Sequence, residues 1–181
     1  WCRQKDPTAR VLRKEYMAGP IPAWNVWYRN PRLARSLVAE IEEFMERGGG
    51  AVYLVAHSNG CDVALKTARL LIANGTPVRG MVLTSGACQE DVKRSGVLRW
   101  AADGMLGRAI ARSSKNDVVL RSKAIWPYGR LGYTGWTIEG AEFIDTSGII
   151  RTVWINDGHN TFLTRLRFDK TFEWIWEQLG L

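Results

Sequence analysis

A serine between small residues joins a short apolar run to a segment of helical pattern. The serine is Ser58, and residues 55–60 read VAHSNG. A strand that turns sharply into a helix needs small residues two positions before and after the turn, and Ala56 and Gly60 meet this need. The turn places the hydroxyl above the sheet at a helix N-terminus, where partial positive charge stabilises an oxyanion. The segment therefore indicates a nucleophilic serine, with a structural serine that caps a helix as the alternative.

A base must accompany such a serine, because a serine hydroxyl is a poor nucleophile until its proton is removed. The chain has two histidines. His159 follows the last apolar run, at the carboxyl end of a predicted strand, and Gly158 lets the backbone bend there. His57 adjoins the serine, and its side chain is expected to point away from the cleft and to brace the loop. His159 is therefore the predicted base.

An acid is needed to orient the imidazole and to stabilise its charged form. Asp117 follows the predicted strand Ala109–Ser113, which puts it at the same edge of the sheet as the serine and the histidine. Asp91 follows an earlier strand and is a competitor, whereas Asp157 is too close to the histidine in sequence to orient it easily. Asp145 precedes the last strand and is expected at the opposite edge. Asp117 is therefore the predicted acid.

A sheet must position these three side chains, and the chain alternates strand-like with helix-like segments. This alternation is typical of a parallel sheet with helices on its faces. A charged first strand is predicted over Arg10–Met17, followed by a loop over Ala18–Asn30. The later predicted strands are apolar, as expected at the centre of a parallel sheet, and cover residues 51–56, 78–84, 109–113 and 149–155.

Four helices are predicted between and after these strands. Asn30 is expected to cap the first helix, with Pro31 in its first turn and three glycines from Gly48 onward to end it. Apolar residues at helical spacing support this helix and an amphipathic helix at the end of the chain. The other predicted helices cover residues 61–73, 92–106 and 162–179, and the Trp- and Gly-rich stretch 125–140 has no clear pattern.

Together these motifs resemble those of the α/β-hydrolase family. The resemblance covers about Asn30 to Leu181, and it is carried by AHSNG at the serine, SSKNDVV at the acid and NDGHNTF at the histidine. The leading alanine of the first motif is similar to the variant found in small bacterial lipases and esterases. The order of serine, aspartate and histidine along the chain also matches the family.

The resemblance implies a minimal α/β-hydrolase fold, a three-layer α/β/α sandwich with a mostly parallel sheet, made by residues 1–181 as one domain. It implies acyl transfer to water through an acyl-serine intermediate, with Ser58, Asp117 and His159 as the catalytic triad. The backbone N–H of Asn59 is expected to stabilise the oxyanion, and loss of one such donor typically raises the barrier by about 3 kcal/mol. We therefore expect a hydrolase of carboxylic esters, with thioesters or amides as alternative substrates.

The second oxyanion donor departs from the family pattern. In the family it comes from a loop after an early strand, often marked by a His-Gly pair, and no such pair precedes Ser58. Either an N-terminal strand and its loop precede Trp1, where this sequence begins, or Gly19 or Ile21 donates instead, since the neighbouring prolines have no N–H. If the oxyanion hole is incomplete, the alternative is a catalytically impaired protein that binds or regulates.

The composition limits the class of protein. The 181 residues are 46% hydrophobic and 24% charged, as in ordinary globular domains, and no apolar run approaches the length of a membrane span. The net charge of +7 comes from scattered basic residues without a nucleic-acid-binding motif, so no nucleic-acid partner is expected. Three cysteines in neither a disulfide nor a zinc pattern suggest buried thiols in a cytoplasmic protein. No cofactor or metal is expected, and no feature indicates an oligomeric state.

The nine tryptophans are many for a chain of this length. Trp24, Trp27, Trp126 and Trp136 lie in loop-like stretches, and either line an apolar acyl pocket or pack against the sheet. No long insertion predicts a large lid. A small esterase that acts on a small-molecule ester or acyl substrate is therefore expected, rather than a lipase with a large mobile cover.

Overall fold

Four parallel strands form the main sheet of the described residues. The structure is a computed structural model that describes Asp6 and residues 8–12, 22–122, 127–159 and 168–181. The strands lie in the order β1-β2-β3-β6, with bounds β1 Val52–His57, β2 Val78–Thr84, β3 Ala109–Ser113 and β6 Ile150–Trp154. A short antiparallel pair lies apart from this sheet and consists of β4 Thr137–Ile138 and β5 Ala141–Glu142. The four apolar strands predicted from the sequence are therefore confirmed to within a residue or so at each end.

The helices alternate with the strands along the chain. Their bounds are α1 Pro22–Trp24, a π-helix Asn25–Arg29, α2 Asn30–Glu46, α3 Gly60–Ala73, α4 Val92–Ser95, α5 Val97–Ala102, α6 Val118–Arg121, α7 Leu131–Thr134 and α8 Phe168–Leu179. The first three follow one another without a break. Helices α2 and α3 pack closely against each other, and α3 follows β1 directly through the turn that carries the serine.

Helices cover both faces of the sheet, because alternate strand residues point to opposite sides. Met81 and Leu83 of β2 belong to a large buried cluster that includes residues of α2 and α3. Val82, which lies between them, belongs to a second cluster with Ile175 and Leu179 of α8. The fold is thus the three-layer α/β/α sandwich with a mostly parallel sheet that the sequence predicts, and it is consistent with an α/β-hydrolase fold.

The first helix begins earlier than predicted, and this corrects the role assigned to Asn30. Helix α1 and the π-helix precede it, so the predicted loop over Ala18–Asn30 is helical from Pro22 onward. The Asn30 N–H bonds to the carbonyl of Asn25 within the helix. Its side chain is fully buried. Asn30 is therefore an interior helix residue rather than a cap.

Other predicted elements differ in extent. Gly96, with φ of +91°, divides the predicted helix 92–106 into α4 and α5, because a left-handed residue interrupts helical geometry. Residues 10–12 form no strand, and the rest of the predicted first strand lies outside the described residues. The final helix is confirmed from Phe168 onward, and its predicted beginning also lies outside them. Helix α7 and strand β4 occur where the sequence pattern was unclear.

Within the described part of the chain, no helix is long and apolar enough to cross a membrane. In the same residues, no three His, Cys, Asp or Glu side chains are grouped so that they could hold a metal ion. Cys61 and Cys88 are free and buried. Burial raises the pKa of the Cys88 thiol well above its ordinary value, so this thiol stays protonated and unreactive.

Candidate active site

Ser58 occupies a sharp turn between β1 and α3. Strand β1 ends at His57 and α3 begins at Gly60, which leaves Ser58 and Asn59 to join them. The φ angle of Ser58 is +52°, a left-handed conformation that is uncommon outside glycine. The Ser58 N–H donates to the Thr84 carbonyl at 3.0 Å, which fixes the turn to the end of β2. The local geometry is that of the strand-to-helix turn expected from residues 55–60.

The small residues on either side of this turn face each other. A Cβ atom built at Gly60 would lie 3.9 Å from the Cβ atom of Ala56, which is an ordinary van der Waals contact. The structure thus has room for a methyl group at position 60. The requirement for a small residue there is looser than the sequence pattern suggests.

The structure brings the predicted serine, base and acid into one hydrogen-bonded chain. The Oγ atom of Ser58 lies 2.9 Å from Nε2 of His159. The Nδ1 atom of His159 lies 2.8 Å from Oδ2 of Asp117. These distances allow His159 to accept the serine proton at Nε2 while its Nδ1–H donates to the carboxylate. The arrangement suits the removal of a proton from the serine hydroxyl.

Asp117 is held by the beginning of helix α6 and is completely buried. Its Oδ1 atom accepts the backbone N–H of Leu120 at 3.0 Å, which caps the helix. Its backbone N–H in turn donates to the Ser114 carbonyl at 3.2 Å. Both carboxylate oxygens therefore have donors, one from the backbone and one from the imidazole, so the carboxylate cannot rotate away from the histidine without losing a hydrogen bond.

The competing aspartates have other partners. Asp91 caps helix α4 by accepting the backbone N–H groups of Lys93 and Arg94. Asp145 accepts backbone N–H groups in the loop before β6, at the edge of the sheet away from the serine. Asp157 forms an ion pair with Arg112. Among these candidates, only Asp117 contacts the imidazole in the structure.

His57 lies closer to the predicted base than expected. Its Nδ1 atom lies 3.3 Å from Oγ1 of Thr84, a contact that fits the predicted role in bracing the loop. Its ring centre, however, lies 5.3 Å from that of His159. The expectation that His57 points away from the serine side is therefore wrong. The hydroxyl of Thr84 donates its proton to the Ala56 carbonyl, so His57 must be the donor in their contact.

Two contacts that sequence reasoning missed tie the acid loop to the histidine loop. Arg112 of β3 donates to Asp157 at 2.9 Å, and both side chains are mostly buried. Asn116, next to the acid, donates to the side chain of Asn156 at 2.5 Å. The available signal was a charged residue inside the otherwise small and apolar strand β3, because a buried arginine needs an anionic partner. Both contacts therefore join the chain segments that carry Asp117 and His159.

Asn59 lies at the N-terminus of α3, as predicted for an oxyanion donor. The carbonyl of Ser58 accepts the N–H groups of Cys61 at 3.0 Å and Ala87 at 3.1 Å. In a trans peptide the N–H points opposite to the carbonyl, so the Asn59 N–H is directed away from these two donors. Gly19 and Ile21, the predicted sources of a second donor, lie outside the described residues.

The tryptophans considered for an acyl pocket differ in environment. Trp136 is completely buried and packs in the core, so it lines no open pocket. Trp24 and Trp27 are more than half exposed. The ring of Trp24 stacks on that of Tyr28, with the ring centres 4.7 Å apart. Trp126 lies outside the described residues. Of the described tryptophans in this group, two are accessible and one serves packing.

A serine, an imidazole and a carboxylate in hydrogen-bonded sequence, at the carboxyl edge of a parallel sheet, define a site of the serine-hydrolase class. A family model described as serine hydrolase matches residues 2–122, and the chain belongs to this family. The matched residues include Ser58 and Asp117, whereas His159 follows them. The protein is thus a serine hydrolase.

Solved structures of a thioesterase share this fold. The chain is similar to YbtT, a type II thioesterase from the yersiniabactin NRPS/PKS biosynthetic pathway, with 15% identity and a TM-score of 0.51 over 83% of this chain and 74% of that one. A serine-to-alanine mutant of the same thioesterase gives 12% identity and the same TM-score of 0.51. At this identity the likeness shows a common fold. The comparison with curated proteins gives no match.

Proposed function

We propose that this serine hydrolase cleaves carboxylic esters, with Ser58 as nucleophile, His159 as general base and Asp117 as the residue that orients the base. The observation that carries the proposal is the hydrogen-bonded chain from the serine oxygen to the carboxylate, with distances of 2.9 Å and 2.8 Å. Burial of the carboxylate adds to it, because a buried anion stabilises the imidazolium that forms during the reaction.

The reaction proceeds in two acyl transfers. The Oγ atom of Ser58 attacks the ester carbonyl carbon while its proton moves to Nε2 of His159. The carbonyl then re-forms, the bond to the alkoxide breaks, and the imidazolium gives its proton to the leaving oxygen. Water next attacks the acyl-serine, losing its proton to His159, which returns the proton to Oγ as the acid product leaves. Enzyme and base are regenerated.

The oxyanion of each tetrahedral intermediate is proposed to accept the N–H of Asn59. This proposal is supported by the direction of the peptide, whose carbonyl end is bonded to Cys61 and Ala87. The N-terminus of α3 adds partial positive charge at the same place. We propose Gly19 or Ile21 as the second donor.

A thioester is the second candidate substrate. The triad attacks a thioester carbonyl in the same way, with a thiolate as leaving group, and the fold is shared with a thioesterase. Matched oxygen esters and thioesters with the same acyl chain separate the two candidates. The greater kcat/KM identifies the preferred class, and a short acyl series then identifies the size of the substrate.

The first experiment is labelling by a fluorophosphonate probe, followed by intact mass measurement. Wild-type protein is expected to take up one equivalent, Ser58→Ala none, and His159→Ala far less than wild type in the same time. Asp145→Asn is the matched control, because Asp145 lies in the loop before β6 and not with the serine. Folded wild-type protein that takes up no label would falsify the catalytic proposal and favour an impaired protein that binds or regulates.

A cytoplasmic location and a small-molecule substrate complete the proposal. The location is supported by the two free thiols Cys61 and Cys88, since oxidising compartments favour disulfides. The residues of the proposed triad come from loops after three strands of one sheet, which supports the action of residues 1–181 as one domain. Fractionation and the oxidation state of the thiols in isolated protein test the location. No nucleic-acid partner is proposed.

A further inference from the structure

Asn30 is buried beside the turn that carries the serine, although it lies on a different helix. Its side chain is completely buried. The Nδ2 atom lies 2.8 Å from Oδ1 of Asn59 and 2.7 Å from Oδ2 of Asp62. An amide nitrogen has two protons, so both donors of Asn30 are used. A residue on α2 thus contacts the side chain of the proposed oxyanion donor and the first turn of α3.

An ion pair on α3 holds Asp62, the residue that accepts a hydrogen bond from Asn30. Asp62 is also paired with Lys66, one helical turn later, and its side chain is largely buried. The Asp62 carboxylate is therefore held in place while it accepts from Asn30. Asn59 is itself mostly buried, and its own amide lies 3.5 Å from Oδ1 of Asn30. The side chains form one connected polar cluster inside an apolar helix interface.

A π-helix places Asn30 in this position. The segment Asn25–Arg29 directly precedes it, and the Asn30 N–H bonds to the Asn25 carbonyl five residues earlier. The extra residue in such a turn shifts which side chains face the neighbouring helix. This shift turns a polar residue toward α3 at the helix end nearest Ser58. Short π segments are frequent at functional sites.

We infer that Asn30 is a positioning residue of the oxyanion hole, an inference that rests on the proposed function of Asn59. The peptide between Ser58 and Asn59 is held at one end by the Cys61 and Ala87 N–H groups. At the other end, Asn30 holds the Asn59 side chain. With both ends fixed, the N–H of Asn59 cannot turn away from the reacting carbonyl.

The left-handed backbone of Ser58 makes this support necessary. Its φ of +52° is unfavourable for a residue with a Cβ atom and persists only where the surroundings enforce it. Relaxation of that conformation would rotate the adjoining peptide, and with it the Asn59 N–H. The hydrogen bond from Asn30 to the Asn59 side chain opposes this rotation from outside the site of reaction.

The test compares an ester with the thionoester of the same acid and alcohol. The C=S sulfur accepts hydrogen bonds poorly, so a thionoester gains little from the oxyanion donors. In Asn30→Asp, which keeps the side-chain shape but replaces the donor by an oxygen facing Asp62, the ester kcat is expected to fall between about 10-fold and about 100-fold. KM changes little. The thionoester rate falls less, so the ester-to-thionoester ratio decreases.

Asn74→Asp is the matched control. Asn74 donates to Glu42 at 2.7 Å, so it bridges the same two helices at the end far from the serine. This variant is expected to keep the wild-type ester-to-thionoester ratio. Equal loss of both rates in Asn30→Asp, or no loss in a folded variant, overturns the inference.

A second variant, Asn59→Ala, and a measurement on wild-type protein complete the test. If Asn30→Asp does not fold, the ratio is read from Asn59→Ala, which removes the side chain that Asn30 holds but retains the backbone N–H. The same decrease is expected, and an unchanged ratio overturns the inference. Failure of the proposed function gives a different result, in which wild-type protein neither hydrolyses esters nor takes up the fluorophosphonate label. The failure of the proposed function and the failure of the inference about Asn30 are therefore distinguishable.

Discussion

The guanidinium of Arg112 lies 2.9 Å from the carboxylate of Asp157, with side-chain exposures of 13% and 17%. Arg112 belongs to β3, the strand that leads to the proposed acid, and Asp157 belongs to the loop of the proposed base. The Arg112 guanidinium also lies 5.9 Å from the centre of the Trp174 ring on α8. Arg112 therefore joins β3 to the loop of the proposed base through this ion pair, and to the final helix through Trp174.

A double-mutant cycle is expected to show strong coupling between these two side chains. Arg112→Met and Asp157→Asn each remove one member of a mostly buried ion pair, so the two single losses of stability are expected to sum to more than the loss in the double variant. The coupling free energy is expected to be about 1 to 3 kcal/mol, measured by urea unfolding. We expect kcat to fall with each single change, because the base loop loses its anchor.

The exposed ion pair between Lys93 and Glu139 is the control for this cycle. Its side chains are 55% and 78% exposed, so solvent screens it and its coupling is expected to stay below about 1 kcal/mol. Coupling of the same small size in both cycles would contradict the anchoring role of Arg112.

Asp117→Asn is expected to reduce kcat/KM by about 10³- to 10⁴-fold without unfolding the protein. The amide can still cap α6 through its oxygen, but its nitrogen then faces Nδ1 of His159 and favours the wrong tautomer. Steady-state ester hydrolysis and circular dichroism measure the two effects. A loss below 10-fold, in a variant as stable as wild type, would be inconsistent with an orienting carboxylate.

The carboxylate of Asp91 is expected to contribute to the free energy of unfolding in a pH-dependent way. The backbone N–H of Arg94, with those of Glu139 and Lys93, holds the pKa of the Asp91 carboxyl below its ordinary value. A carboxyl with a lower pKa when folded stabilises the protein above its unfolded pKa, and this stability disappears as the pH falls through the folded pKa. Asp91→Asn is therefore expected to cost about 1 to 3 kcal/mol at pH 7, and progressively less below about pH 4.

Urea unfolding at pH 7, 5, 4 and 3 measures this difference. Asp103→Asn is the control, because Asp103 is largely exposed and is expected to have little effect at any pH. A cost for Asp91→Asn that stays constant down to pH 3 would show that the charge of Asp91 contributes nothing.

Substitution by alanine is expected to change the stability of the protein differently at two glycines. A Cβ at Gly132 would lie 2.5 Å from the Gly86 nitrogen and from Cδ1 of Leu120, so Gly132→Ala requires the backbone to move. We expect a loss of about 1 to 3 kcal/mol and a lower Tm. Gly60→Ala has ordinary contacts and favours the helix, so its stability should equal or exceed that of wild type. Similar Tm changes in both variants would be the contrary result.

The sheet could be predicted because parallel topology constrains the pattern strongly. Apolar runs such as Val78–Thr84 have few alternatives when helical segments lie between them, and functional side chains gather where such strands end. For this reason Ser58, Asp117 and His159 could be brought together from the sequence. That they form a hydrogen-bonded chain required the structure, because loop geometry depends on contacts such as Arg112 with Asp157.

The features that escaped prediction depend on tertiary context. Asn30 before proline has the local sequence of a helix cap, and only the preceding π-helix turns it inward. Gly96 interrupts a helix that side-chain pattern alone would continue, through a backbone angle that sequence does not specify. The ring of His57 lies near that of His159 and contacts Thr84, an arrangement that local sequence does not specify.

Among the described strands, β6 pairs with β3 alone and lies at an edge of the main sheet, and the loop after β6 carries His159. The serine and the histidine are 101 positions apart. With these residues as the proposed triad, a nascent chain is inert until β6 has joined the sheet and placed the loop of His159. Hydrolysis therefore requires the docking of β6, and the appearance of activity during refolding dates that step.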